Sequence, residues 1–323
     1  MTTSLQSAFL RALPATIKVS KMMLKVFIPL SLLTVFLREV GILAAIAPFF
    51  APLMALLGLP GEAAITLLAG FTNTIYAALA TAAALDLTPR QVTILGVILG
   101  IAHSLFVETG ILMNLRVATV RIALFRILVG LTTGILMNAL MPAEVSGIVL
   151  QPTAQGSPFS WDGTLLQIGI TSVQIVLIIF TITFGYELLA GWKHADRAKS
   201  GFTGLTTGIG ISNRALAPWL VGFFVGITYG AALLHQFVEN KQLNHKDACL
   251  VTVFLCLAHA IVEDTLLFVV VGGNFWWIFL TRVIMAVAVV RLLATNNLYQ
   301  RMLWIGLPKQ VVRQAEKGGR QSI

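Results

Sequence analysis

Long stretches of this chain contain no Asp, Glu, Lys, Arg or His, among them 40–61, 63–85, 163–186 and 215–234. A helix needs roughly 20 mostly apolar residues to cross about 30 Å of hydrocarbon, so runs of this kind read as membrane spans. Only 11% of the residues are charged, against about 25% in soluble domains. That leaves too little polar surface to coat a water-soluble body. The sequence therefore predicts an all-α, polytopic membrane protein whose partner surface is the lipid bilayer. The formal net charge of +9 would suggest nucleic acid in a soluble protein. Here it follows from the charge rule of membranes, and no nucleic-acid partner is expected.

The chain also repeats itself. Offset by 156 residues, Gly70 and Thr72 fall on Gly226 and Thr228, Leu99 on Leu255, Ile122 on Ile278, and Arg126 on Arg282. The stretch carrying His103, Glu108 and Thr109 lands on the stretch carrying His259, Glu263, Asp264 and Thr265. Apolar matches are cheap in a membrane protein. Matching His, acid, Thr and Arg at one offset is not, and the polar matches carry the duplication.

Lys and Arg favour the cytoplasmic side. The opening segment is basic at Arg11, Lys18, Lys21 and Lys25, the tail is basic, and Lys193, Arg197 and Lys199 form a third cluster, whereas 141–162 has no Lys or Arg. This places both termini in the cytoplasm and the connector outside, so each half crosses an odd number of times and the repeats are inverted. The expected organisation is an amphipathic segment over 1–21, a first membrane repeat over 22–142, an external linker over 143–163, a second repeat over 164–297 and a basic cytoplasmic tail over 298–323. Each repeat has about five segments, some broken or re-entrant. Residues 41–59 hold Pro48 and Pro52, and 201–213 are short and rich in Gly and Thr. Such backbone is tolerated at membrane depth only where it is buried in protein or lines a cavity. Cys249 and Cys256 read as reduced core residues.

Ionisable groups inside spans cost a few kcal/mol or more and usually face a partner or a cavity. Three readings of them stay open. Glu108 with Arg126 and Asp264 with Arg282 can form ion pairs. His103, His259 and the acids can relay a coupling cation, proton or sodium. A divalent metal can be held by His, Glu and Asp. On a continuous helix His103 and Glu108 lie roughly 140° apart, while His259 and Glu263 share a face; a break near His103 or Gly110 would bring the first pair together. Thr72 and Asn73, with Thr228 and Tyr229, offer hydroxyl and amide groups to a solute. No nucleotide loop, nucleophile elbow or zinc-protease motif is present, so neither enzyme activity nor a resident cofactor is expected.

With these residues in view, the chain resembles the bacterial Gate-domain family, the nucleoside-recognition membrane proteins. The resemblance rests on 27–33 (Phe-Ile-Pro-Leu-Ser-Leu-Leu), on 47–63 with Pro60 and Glu62, on Thr72 and Asn73 after Gly-Phe, and on Ala102, His103 and Glu108. It covers most of 20–140. Related domains occur in concentrative nucleoside transporters and in Feo-type ferrous-iron transporters. The resemblance implies a permease core in the bacterial inner membrane that moves a small, nucleoside-like polar solute, and a homo-oligomer is expected. A divalent-metal permease and a non-transporting scaffold or sensor are the alternatives. His103, Glu108, Thr109, Arg126, His259, Glu263, Asp264, Thr265 and Arg282 would then carry coupling or gating, and Thr72, Asn73, Thr228 and Tyr229 would line the path.

Overall fold

The computed structural model describes residues 2–115, 118–146, 160–190, 202 and 204–296, which are helical with no strand among them. The basic cluster at Lys193, Arg197 and Lys199, most of the linker and the tail lie outside the described residues.

The helices are α1 (Thr2–Glu39), α2 (Ile42–Leu56), α3 (Ala64–Thr72), α4 (Ile75–Ala83), α5 (Pro89–Ala102), α6 (Leu105–Leu112), α7 (Thr119–Leu140), α8 (Trp161–Ala190), α9 (Leu216–Val225), α10 (Ile227–Glu239), α11 (His245–Leu257), α12 (Ile261–Val270) and α13 (Phe275–Thr295). Among the described residues, six helical stretches are long and apolar enough to cross a membrane: Leu5–Glu39, Pro89–Leu112, Val120–Leu140, Trp161–Leu188, His245–Val270 and Phe275–Thr295. Ile42–Leu56 and Gly61–Thr72 pass the same test only as a pair bent by 88°. The fold is that of a polytopic helical membrane protein.

The sequence anticipated trouble around Pro48, Pro52 and Pro60, and the bend lies just beyond the two prolines inside α2. A Cβ at Gly61 would sit 2.2 Å from the Ala47 carbonyl oxygen, so the two arms fold this tightly only over a glycine. Three further breaks interrupt stretches expected to be single segments: 62–85 at Asn73 and Thr74, 215–238 at Gly226, and 247–271 between Leu257 and Ile261. The segment 91–113 breaks after Ala102, at the His rather than at Gly110, the two places where a break would bring His103 and Glu108 together. At the other end, α1 runs without interruption from Thr2 to Glu39, across the boundary expected at 21.

The order of elements repeats, with one correction to the register. α11, α12 and α13 begin 156 residues after α5, α6 and α7, whereas α9 and α10 begin 152 after α3 and α4. The cause is length: α10 has 13 residues and α4 has 9, a difference close to one helical turn. Gly70 therefore corresponds to Gly222, not to Gly226, and Thr228 to Tyr76, not to Thr72. An extra turn lengthens α10 and leaves the helices after it in step.

The described residues gather into two compact units, neither of which is one sequence repeat. The first comprises α1 to α5, the end of α7, α8, α12 and the start of α13; the second comprises α6, the start of α7, α9 to α11 and the end of α13. In the first unit α1 packs along α8. Small buried residues of α1 at four-residue spacing, Ala8, Ala12, Thr16 and Ser20, let backbones approach closely. Phe9 meets the rings of Phe180 and Phe184, and Arg11 pairs with Glu187 at 2.7 Å. The Arg90 guanidinium reaches the carbonyls of Asn138 (2.7 Å) and Pro142 (3.1 Å) at the end of α7, supplying donors to a helix terminus that lacks them. In the second unit α9 and α10 fold against each other at Gly222 and Gly230. A Cβ on Gly230 would lie 2.4 Å from the Gly222 Cα.

That contact predicts a contrast. Gly230→Val should lower stability by about 1–3 kcal/mol through overpacking against backbone. Gly169→Ala on α8, where a Cβ meets open space, should raise it by about 0.5–1 kcal/mol. Thermal melting of the purified variants in detergent measures both; equal effects would contradict the packing described.

Candidate functional site

The two related breaks, after α5 and after α11, are built in the same way. α5 ends at Ala102 and α11 at Leu257, and in each the backbone leaves the helix at a histidine turn. The carbonyls of Leu99 and Leu255 thereby lose the amide of the residue four positions on, which a regular helix would supply. The imidazoles replace it: His103 Nδ1 lies 2.7 Å from the Leu99 oxygen and His259 Nδ1 lies 2.6 Å from the Leu255 oxygen. A carbonyl can only accept, so Nδ1 carries the proton in both rings.

The next residues, Ser104 and Ala260, take positive φ of 48° and 42°, a conformation uncommon outside glycine. What holds them is a long-range hydrogen bond. The Ser104 amide donates to the Gly70 oxygen at 2.8 Å, and the Ala260 amide donates to the Gly222 oxygen at 3.2 Å. Gly70 and Gly222 are also the places where Leu99 and Leu255 press closest, with a Cβ meeting their methyls at 2.3 and 2.4 Å. Each break is thus supported by the first arm of the preceding broken pair.

Beyond the breaks the chain restarts as α6 and α12, with Glu108 and Asp264 in their first turns. Carboxylates suit that place, because the unpaired amides and the helix dipole make a helix N-terminus positive. Each acid also has an arginine. In the second unit Arg126 Nη1 lies 2.5 Å from Glu108 Oε2, with the arginine side chain 1% exposed. In the first unit Arg282 Nη2 lies 3.0 Å from Asp264 Oδ2 and donates to the Gly100 oxygen at 2.6 Å. Gly100 makes room for this, since a Cβ there would lie 2.5 Å from Arg282 Nε. Cys256 takes the corresponding place in the second unit, buried and within electrostatic reach of Arg126 and Glu108.

The ion pairs expected from the 18-residue spacing are present. His259 joins one of them, its Nε2 lying 3.2 Å from Glu108 Oε1. Because Nδ1 is spent on Leu255, that contact is a hydrogen bond only through a proton shared between Nε2 and the carboxyl.

Other expectations fare differently. His259 and Glu263 stand on opposite sides of a break, so the shared helical face argued from their spacing does not exist. Thr109 and Thr265 bond the carbonyls of Leu105 and Ile261 in their own helices. Thr72 likewise donates to Leu68 at 2.6 Å. Asn73 sits in the α3–α4 break with an exposed side chain, while Thr74 caps α4 by accepting the Ala77 amide. Thr228 and Tyr229 are exposed in the first turn of α10, just after Gly226, whose φ of 123° only glycine adopts readily. Tyr76, outside the set expected to line the path, donates its hydroxyl to Glu263 Oε1 at 2.9 Å. Nothing in the local sequence marks that partnership, because the two residues lie 187 positions apart.

Residues 20–119 match the Gate family, described as "Nucleoside recognition". Over those residues the chain is similar to a Gate domain. It is also 29% identical over 292 residues to the uncharacterized membrane protein YvoD of Bacillus subtilis (strain 168), covering 88% of this chain and 93% of that protein. No solved structure matches the chain. Both similarities agree with a membrane protein.

The paired acids carry a stability prediction. Arg282→Met should cost about 3–5 kcal/mol, because it leaves Asp264 buried without its counter-charge, while Arg282→Met with Asp264→Asn should recover most of that loss. A double-mutant cycle on melting temperatures decides it, and additive losses would show that the two side chains do not act as a pair.

Proposed function

We propose that this Gate-domain protein is a secondary transporter or facilitator for a small polar solute of nucleoside-like chemistry. The observation that carries the reading is the build of the two histidine breaks, each followed by a half-helix whose first turn holds an arginine-paired carboxylate. Discontinuous helices of this kind form solute and ion sites in transporters, since half-helix termini present uncancelled charge at membrane depth. The description of the Gate family supports the solute class.

In this reading the exposed polar side chains at the breaks of the α3–α4 and α9–α10 pairs, Thr72, Asn73, Thr228 and Tyr229, line the path. His103, Glu108, Thr109, Arg126, His259, Glu263, Asp264, Thr265 and Arg282 couple or gate it with a proton or sodium. The charge distribution of the sequence supports inverted repeats, cytoplasmic termini and an inner-membrane location, and we extend the reading to a homo-oligomer. A divalent-metal permease is the second reading. It is favoured by His259 Nε2 and Glu108 Oε1 lying 3.2 Å apart, an imidazole and a carboxylate of the types such ions accept.

A ligand screen separates them. Melting of the purified chain should rise with a nucleoside and not with divalent metals or organic anions, by about 2.7 kcal/mol of added stability at a hundredfold excess over Kd. Proteoliposomes should take up the same nucleoside saturably, and Asn73→Ala should reduce that uptake at least tenfold with melting unchanged. Stabilisation by a divalent metal alone would transfer the conclusion to the second reading. Tight vesicles that accumulate none of these solutes would overturn transport.

A further inference from the structure

Features that both repeats share describe the common architecture; a polar group that only one repeat has needs its own reason. The caps, the positive-φ residues and the arginine–carboxylate pairs are all duplicated. Glu263 is not. Its counterpart 156 residues earlier is Val107, and the counterpart of its partner Tyr76, in the register that superposes α4 on α10, is Thr228.

The setting of Glu263 is well defined. It lies in the first turn of α12, which packs on α4, α5 and α8. Tyr76, in the first turn of α4 just past the Asn73–Thr74 break, donates its hydroxyl to Oε1 at 2.9 Å. The neighbouring Asp264 already has Arg282, whose Nη2 is shared with the Gly100 carbonyl. The other ionisable groups about Glu263 are His103, from the α5 break, and Asp264 itself. Those of α8, namely Asp162, Tyr186 and Glu187, stand near the two ends of that helix. The second unit matches one carboxylate, Glu108, with one guanidinium. The first unit sets two carboxylates beside one guanidinium, and the second carboxylate receives the phenol of Tyr76 and stands near the His103 imidazole, whose Nδ1–H is given to the Leu99 carbonyl. A phenol orients a carboxylate but does not neutralise it, and an uncompensated charge inside a membrane protein is costly.

We propose that Glu263, oriented by Tyr76, is the carboxylate that binds the monovalent coupling cation, a proton or an alkali ion. The proposal rests on the transport reading and narrows it. Glu108 and Asp264, each with its guanidinium, hold the half-helices in place, and Glu263 takes its counter-charge from outside the protein. Tyr76 is a positioning residue for that carboxylate.

The test uses the purified full chain in detergent. Melting is followed along a pH series at fixed sodium and along a sodium series, balanced with choline, at fixed pH, together with the infrared carboxylic C=O band. The wild type should respond along one series: a pH response with a titrating C=O band identifies a proton, and a sodium response at constant pH identifies an alkali ion. Glu263→Gln should abolish that response and the band change. Tyr76→Phe should keep the response and displace its midpoint about tenfold in cation concentration, the worth of one hydrogen bond to a charged group. A Glu263→Gln protein that responds as the wild type does would overturn the assignment. Should that variant not fold, an unmoved midpoint in Tyr76→Phe would overturn it equally.

Uptake by proteoliposomes keeps the two conclusions apart. A Glu263-dependent cation response without uptake of any solute leaves the site standing and removes the transporter. Solute uptake whose cation dependence survives Glu263→Gln does the reverse.

Discussion

A carboxylate inside an apolar medium has to be given a counter-charge and hydrogen-bond donors, and most of this structure follows from where those come from. Glu108 and Asp264 receive both. Each stands in the first turn of a half-helix, where the amides are unpaired and the dipole is positive. Each also meets a buried guanidinium, at 2.5 and 3.0 Å respectively. The first of these is not available on an uninterrupted helix, since only a break creates a helix start within a span. The acids and the breaks therefore require each other.

The breaks have costs of their own, and the chain meets them with a small set of devices used twice. Leaving the helix strips a carbonyl of its donor, and His103 and His259 replace that donor with their own Nδ1–H. Turning back requires positive φ at Ser104 and Ala260, and their amides are secured by the carbonyls of Gly70 and Gly222. Strain of this kind persists only where surrounding contacts over-determine it. A helix pair that must present a carbonyl at close range explains why small residues cluster at 70 and 222. The histidines thus have a structural task that is complete at Nδ1. In His259, Nε2 is turned to Glu108.

Against this duplicated frame the differences stand out. The first repeat has Gly100 and Tyr76 where the second has Cys256 and Thr228, and the second has Glu263 where the first has Val107. The cation site proposed at Glu263 would use this asymmetry of charge on a symmetric scaffold, set by a few substitutions that leave the packing around the breaks undisturbed.

Much of this was legible in the sequence because its causes are local or periodic. Uncharged runs announce the helices, repeated His, acid and Arg announce the duplication, and the 18-residue interval between acid and arginine forecast both ion pairs. The register upstream was not legible. A constant offset matched Thr72 with Thr228, while one additional turn in α10 changes the pairing, and an added turn leaves no mark in apolar sequence. The helical face inferred for His259 and Glu263 failed because continuity of a helix was assumed across a backbone turn that no residue type there demands. The amino-acid sequence alone thus determined that costly charges are carried into a membrane in two matched sets, since composition and spacing suffice for that. Only the tertiary structure decided which donor serves which acceptor, and so set Glu263 apart from the acids already neutralised, because hydrogen bonds such as Tyr76 to Glu263 or Ser104 to Gly70 join residues whose separation along the chain carries no information about their separation in space.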